Sequence, residues 1–274
     1  MEKITFNLPN SISSEITNKK TIEGYMYDTL TSTNDQAWTL SHQGVESPFF
    51  VIAKQQTAGR GQRGNQWQSL LGGLYVSLYL NLNLATDNLH HLTLFSVYGI
   101  VAQLQAHRIP VQIKWLNDLI LEEKKLGGIL CETKINHNQI QKTVIGVGIN
   151  YLNETTNEGI NLQEFINNND NLLIIDSLID LAQIVVMGIL NGYTKYQLMG
   201  INFIVNQYNK LLHNYQANIL IENNKGIILG VNPQGNLKVK LSADNASSNI
   251  YFNPENYHIS YTKNQQNFYI LTEK

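Results

Sequence analysis

VIAKQQTAGRGQRGNQW, residues 51–67, followed by the alternating LYVSLYLNL of residues 74–82, is the stretch on which the fold turns. The first six residues read as a buried strand that runs into a segment too rich in glycine and charge to continue it. Gly59, Gly61 and Gly64 match the G-x-G-x-x-G pattern of dinucleotide-binding loops, in which the glycines open a helix that carries a pyrophosphate on its N-terminus. Here Leu74, Val76, Leu78, Leu80 and Leu82 alternate instead with Tyr75, Ser77, Tyr79 and Asn81, which is the period of a strand. A strand after the glycines argues against a nicotinamide-dependent dehydrogenase and leaves a flexible loop between two strands. Arg60 and Arg63 within it suit an anion that is enclosed after binding. An exposed basic loop without a ligand is the alternative.

Working outward, residues 1–20 are polar and read as a weakly packed leader, with order beginning near Ile22. Gly24 to Leu30 suits a strand, after which Ser32, Thr33 and Asn34 offer helix N-cap side chains. Leu94, Val97, Tyr98, Val101 and Leu104 recur at helical spacing until Pro110. VQIKWLNDLIL (111–121) and KLGGILCETKI (125–135) read as two strands joined by a charged turn at Glu122 to Lys125, and TVIGVGINYL (143–152) as another. Two or so helices fill Leu172 to Leu212, with breaks expected near Gly188 to Gly192 and around Gly200. From Ala217 short β segments alternate with Asn, Gly and Pro turns. The expected organisation is a polar leader (1–20), a main α+β domain (21–214) with a mixed sheet backed by helices, and a small β domain (215–274).

At 43% hydrophobic the chain can bury an ordinary core, and 19 basic against 21 acidic residues give no global attraction to nucleic acid or an anionic membrane. One cysteine, Cys131, rules out an intramolecular disulfide and a Cys-rich zinc site. No apolar run approaches membrane-spanning length, so a cytoplasmic protein without membrane contact is expected. No metal-binding cluster is expected from the histidines.

Three further segments carry chemistry-bearing residues. In KWLNDLIL, Lys114, Asn117 and Asp118 interrupt an apolar strand, and the spacing of Lys114 and Asp118 puts them on one strand face. They form either part of a site or a structural ion pair. In KLGGIL, Lys125 follows a turn, and Gly127 and Gly128 allow a ligand or another backbone to approach closely. A plain hairpin is the alternative. In VIGVGIN, two glycines precede Asn150, which is a site residue or a strand-end turn.

In this order the segments resemble the catalytic and C-terminal domains of bacterial biotin protein ligases. The resemblance rests on STN at Ser32 to Asn34, QTAGRGQRG from Gln56, KWLND from Lys114, KLGGIL from Lys125 and GVGIN from Gly146, and covers roughly residues 22–270. It implies the class II synthetase-like fold of the biotin and lipoate ligases, with a small SH3-like barrel at the C-terminus. It also implies formation of biotinyl-adenylate from biotin and ATP with Mg²⁺, then transfer of the biotinyl group to a lysine of a biotin carboxyl carrier protein, such as that of acetyl-CoA carboxylase. A homodimer is left open.

Carried over, the resemblance puts Ser32, Thr33, Asn34 and Gln56 on the ureido ring of biotin, with Gly128 nearby. Arg60, Gly61 and Gln62 belong to the loop that closes over biotin and the adenylate. Lys125 contacts carboxylate and phosphate, while Gly59, Arg63, Trp67, Lys114, Asn117 and Asn150 face the nucleotide, and Asp118 orients or deprotonates the acceptor lysine. Catalysis is thus expected from Lys125, Arg60, Asp118 and Lys114. Gln62 stands where many members have an arginine, and Leu116 where they have proline. The rivals are a lipoate or octanoate ligase of the same fold and a bifunctional ligase that represses transcription. The second is disfavoured because the polar segment ahead of Ser32 does not read as a basic winged helix.

Overall fold

The computed structural model describes residues 1–17, 19–169, 175–243, 246–260, 263 and 268–273, with the backbone alone at residues 13–15, 63, 242, 243 and 246. The chain begins with β1 (Glu2–Asn7), α1 (Asn10–Ile16), β2 (Thr21–Leu30), α2 (Thr33–His42), β3 (Phe49–Gln56) and β4 (Leu74–Ala85). It continues through α3 (Leu89–Ala106), β5 (Gln112–Lys114), β6 (Asp118–Leu121), β7 (Lys124–Asn136) and β8 (Gln139–Ile149). Helices α4 (Leu162–Asn167) and α5 (Leu178–Leu211) precede β9 (Asn218–Ile221), β10 (Asn224–Val231), β11 (Leu237–Ala243), β12 (Ala246–Phe252), β13 (Tyr257–Ile259) and β14 (Tyr269–Glu273).

An eight-stranded mixed sheet in the order β1-β2-β3-β4-β8-β7-β6-β5 is backed by helices, which is the α+β architecture expected. Only β2 and β3 run parallel within it. Alternation sorts its two faces. Phe50, Ile52, Val76, Leu78, Ile145 and Val147 point to the face covered by α3 and α5. Phe49, Val51, Tyr79 and Val144 point to the other, where α2 adds Ala37 and Leu40. Both faces of β4 are therefore buried at its start, and Tyr75, Ser77 and Tyr79 are not the solvent side of an amphipathic strand.

Residues 1–17 are not a loosely packed leader. Strand β1 pairs antiparallel with β2 along the sheet edge, the Phe6 ring stacks on Phe50 with centroids 4.5 Å apart, and Ile12 is wholly buried. An edge strand and a short surface helix need few apolar side chains, so a polar composition conceals them. Gly188 and Gly192 do not break α5 either. A Cβ on Gly99 of α3 would lie 2.0 Å from the Gly188 carbonyl, and one on Gly192 would lie 2.1 Å from that of Phe95. These glycines let two backbones touch. Gly200, with φ of 75°, does interrupt the helix, as expected. Residues 172–174, the start of the expected helical region, lie outside the described residues.

The second sheet, β12-β11-β10-β9-β14-β13, adds two strands to the four visible in the sequence. Its Ile219, Ile228, Val239 and Ile259 belong to the same buried cluster as α3 and α5. The indole of Trp115 donates to the Gly235 carbonyl at 2.8 Å, joining the two sheets. No described helix is long and apolar enough to cross a membrane.

Candidate active site

The α2 face of the main sheet holds a cavity of about 490 Å³, within the range of small-molecule sites. Its floor is made by glycines on adjacent strands. Gly128 pairs with Gly148 across β7 and β8, and Gly146 pairs with Ser77 across β8 and β4. A Cβ at Gly146 would sit 2.3 Å from the Asn34 amide oxygen, and one at Gly148 would sit 2.5 Å from the Trp67 indole nitrogen. Two large polar side chains can rest on the sheet only because these positions lack side chains.

One wall is the start of α2. Ser32 occupies the N-cap position in extended conformation, but its hydroxyl makes no capping bond, contrary to the expectation that these side chains serve the helix end. Gln56 accepts from the Thr33 backbone N–H at 2.8 Å and from its hydroxyl at 3.1 Å, and donates to Ser69 at 2.8 Å. The Ser77 hydroxyl lies 2.7 Å from Thr33 Oγ1 and 2.6 Å from Asn34 Oδ1. Asn34 Nδ2 and Trp67 Nε1 are buried donors that make no hydrogen bond of ordinary geometry. Leaving a buried donor unmade costs about 1–3 kcal/mol, so Trp67 Nε1 marks a place where a ligand's acceptor belongs, whereas the Asn34 amide is turned to the Glu132 carboxylate.

Opposite stands a cluster of charges. KWLNDLIL is not one strand but a tight hairpin in which Lys114 and Asp118 are paired across β5 and β6. Asp118 Oδ1 lies 2.9 Å from Lys125 Nζ, and its Oδ2 lies 3.5 Å from Lys114 Nζ. Burial holds the Lys114 ammonium below its ordinary pKa, against the pull of Asp118. Lys125 also lies over the Trp67 ring, 5.3 Å from its centroid. Asn117 lines the cavity and donates to the Ile129 carbonyl at 2.8 Å. Two cations around one carboxylate leave this end electropositive.

The glycine loop folds back on itself, with Arg60 bridged to Gln66 and the Trp67 N–H donating to Gly59. As the strand reading required, no long helix follows it; Gln62–Gly64 make a single 3₁₀ turn. Arg60 forms a bidentate pair with Asp35 at 2.8 and 2.7 Å and reaches Glu132 at 2.9 Å. These partners raise the Arg60 pKa. Burial pushes the Glu132 carboxyl up, but the polar hydrogens of Asn34, Arg60 and Trp38 more than reverse this and hold it below its usual value.

The cavity gathers Ser32, Thr33, Asn34, Gln56, Arg60, Gly61, Gln62, Trp67, Lys114, Asn117, Asp118, Lys125 and Gly128. Gly59 stands behind them, where a Cβ would meet Ser69 Oγ at 2.3 Å. Asn150 lines a neighbouring cavity of about 220 Å³ that shares Trp67 and Lys125. The Arg63 side chain lies outside the described residues. Sequence reasoning missed Ser77, which was hidden in an apolar alternation, and Asp35 and Glu132, two ordinary-looking surface carboxylates. It also missed Pro254, Tyr257 and His258, which close the cavity from the second sheet and carry no local signal.

Residues 26–150 match the Biotin/lipoate A/B protein ligase family. The bifunctional ligase/repressor BirA of Bacillus subtilis is 34% identical over 134 residues, covering 48% of this chain and 41% of that protein. The biotin–[acetyl-CoA-carboxylase] ligase of Paracoccus denitrificans is 31% identical over 122 residues, or 43% of this chain and 50% of that one. The chain thus spans half or less of the length of these relatives. The biotin protein ligase from Aquifex aeolicus, solved in complex with biotin and ATP, superposes with a TM-score of 0.66 at 22% identity over 92% of this chain and 99% of that chain. The fold is shared with that enzyme.

Proposed function

We propose, for a chain whose residues 26–150 belong to the Biotin/lipoate A/B protein ligase family, that it makes biotinyl-adenylate from biotin and ATP and transfers the biotinyl group to a lysine of a carrier protein. The observation that carries this reading is one cavity in which the neutral polar groups of Ser32, Thr33, Asn34 and Gln56 line one end and the Lys114–Asp118–Lys125 cluster lines the other. A neutral ureido group with a strong carbonyl acceptor suits the Ser32, Thr33, Asn34 and Gln56 end. A carboxylate and a phosphate suit the lysines.

In the first step a carboxylate oxygen of biotin attacks the α-phosphorus of ATP and pyrophosphate leaves. Two anions must meet, so a cation fixed beforehand lowers the barrier. Lys125, partly exposed to the cavity and anchored by Asp118, fills this place. Lys114, Asn117, Trp67 and Asn150 surround the nucleotide in this assignment, with Gly59, Arg63 and Gln62 in the loop above. In the second step the acceptor lysine attacks the carbonyl carbon of the anhydride, AMP leaves and a proton is lost, with Asp118 placed to orient the amine. Among the described residues no three His, Cys, Asp or Glu side chains cluster as metal ligands. Mg²⁺ in this reading is carried largely by phosphate oxygens and water. The partner is the biotin carboxyl carrier domain of a biotin-dependent carboxylase, the setting is cytoplasmic, and specific DNA binding forms no part of the activity.

Biotin-dependent exchange of pyrophosphate into ATP, with detection of biotinyl-adenylate, tests the reading. Stimulation by lipoate or octanoate in place of biotin would replace it with the lipoate-ligase alternative.

A further inference from the structure

Lys114 and Asp118 flank the turn Trp115–Asn117, between β5, three residues long at the edge of the main sheet, and β6, of four residues. Such short strands hold a turn weakly by themselves, and this turn contains neither glycine nor proline to preset its backbone. Ties from other elements fix it instead. Trp115 Nε1 donates to the Gly235 carbonyl of the second sheet, and Asn117 Nδ2 to the Ile129 carbonyl of β7, each at 2.8 Å. Between them the Leu116 carbonyl accepts from the hydroxyl of Tyr208 at 2.8 Å.

Tyr208 lies near the end of α5, 92 positions along the chain from Leu116. Its side chain is wholly buried in the apolar cluster that α5 shares with the sheet. A phenylalanine would fill the same space without taking a hydroxyl out of water, a step that is costly unless the group is bonded. Packing therefore accounts for the ring and not for the oxygen. Burial, with a further contribution from the charge of Asp118, holds the phenol well above its ordinary pKa, so the group stays a donor.

We infer that Tyr208 is a positioning residue, whose hydroxyl braces the Trp115–Asn117 turn and thereby fixes where Lys114 and Asp118 stand relative to Lys125. Asp118 reaches Lys125 at 2.9 Å and Lys114 at 3.5 Å, and a displacement of about 1 Å in such a constellation is enough to slow a reaction severely. The catalytic consequence rests on the reaction proposed above; the brace itself does not.

Tyr208→Phe keeps the ring and deletes the donor. In hydrogen–deuterium exchange on the full chain, well below Tm, this variant should take up deuterium faster in peptides spanning residues 113–121. In biotin-dependent pyrophosphate exchange its kcat should fall about two- to tenfold, the range that corresponds to one neutral hydrogen bond, with KM for biotin unchanged, because the Ser32 to Asn34 end of the cavity is untouched. Tyr98→Phe serves as the control, since it deletes a hydroxyl bonded to Lys195 at 3.0 Å in the contact between α3 and α5; it should alter neither readout. Unchanged deuterium uptake at 113–121 in Tyr208→Phe would overturn the brace whatever the reaction. Faster uptake with an unchanged kcat, or with KM for biotin raised as much as kcat falls, would overturn the positioning role. A wild type that shows no biotin-dependent exchange would instead overturn the proposed reaction, and the uptake comparison would still decide the brace.

Discussion

Lys125 owes its place to Asp118, at 2.9 Å, and to the Trp67 ring beneath it, so its truncation removes a cation from the cavity and opens no hole in the core. Lys125→Ala should reduce biotin-dependent pyrophosphate exchange by the factor that follows from about 3–4 kcal/mol of lost transition-state stabilisation, with an unchanged far-UV spectrum. Exchange within a few-fold of wild type would remove Lys125 from the mechanism. Lys114 behaves differently because it is buried and its pKa is lowered by that burial. Between this lowered value and its ordinary 10.5 the unfolded chain binds more protons than the folded one, so stability rises with pH across that window. The burial penalty is full below the lowered value and vanishes above 10.5. Lys114→Met should therefore hold or raise Tm at pH 7, since Asp118 keeps Lys125 as partner, and should flatten the alkaline rise; a steep loss of Tm would show that the ammonium stabilises the fold. The sequence displayed both lysines and Asp118, but it hid their geometry. Trp115, Leu116 and Asn117 make a turn without glycine or proline, and the apolar run around them looks like uninterrupted strand.

At the scale of elements, the glycines of β7 and β8 set the depth of the cavity. Gly148→Ala would press a methyl against Trp67, whose Nε1 would lie 2.5 Å away, so the ring and the Lys125 ammonium above it must shift. The expected result is a KM for ATP raised several-fold with little change in Tm, measured by exchange kinetics and thermal melting. An unaltered KM would separate Trp67 from the nucleotide. The glycines themselves were legible as places of close approach. What they approach was not, because Asn34 and Trp67 are distant in sequence from Gly146 and Gly148, which they touch. The N-terminal strand was missed for a related reason: Phe6 and Ile12 are core residues, but an isolated apolar residue among polar neighbours has no period to betray it.

At the scale of the molecule, the two sheets share one buried cluster, and the hydrogen bond from Trp115 to Gly235 lies within their junction. Trp115→Phe keeps most of the ring and deletes the donor, leaving the carbonyl of Gly235 unmet at a cost of about 1–3 kcal/mol. A Tm lower by a few degrees should follow, accompanied by weaker ATP binding, because Pro254, Tyr257 and His258 reach the cavity from the same sheet. A lowered Tm with normal ATP binding would confine the junction to structural support. The composition change near Ala217 announced a β-rich segment; nothing in it announced that this segment reaches the cavity.

The contribution of Pro254, Tyr257 and His258 also orders events in time. A chain emerging from the ribosome displays Ser32 to Asn34, the glycine loop and both lysines well before the last wall of their cavity exists. Until His258 has been translated and its sheet has docked, any bound adenylate would face bulk water on that side. If the proposed biotin activation ran before that docking, its intermediate would be open to hydrolysis, so the site is complete only once His258 and its sheet are in place.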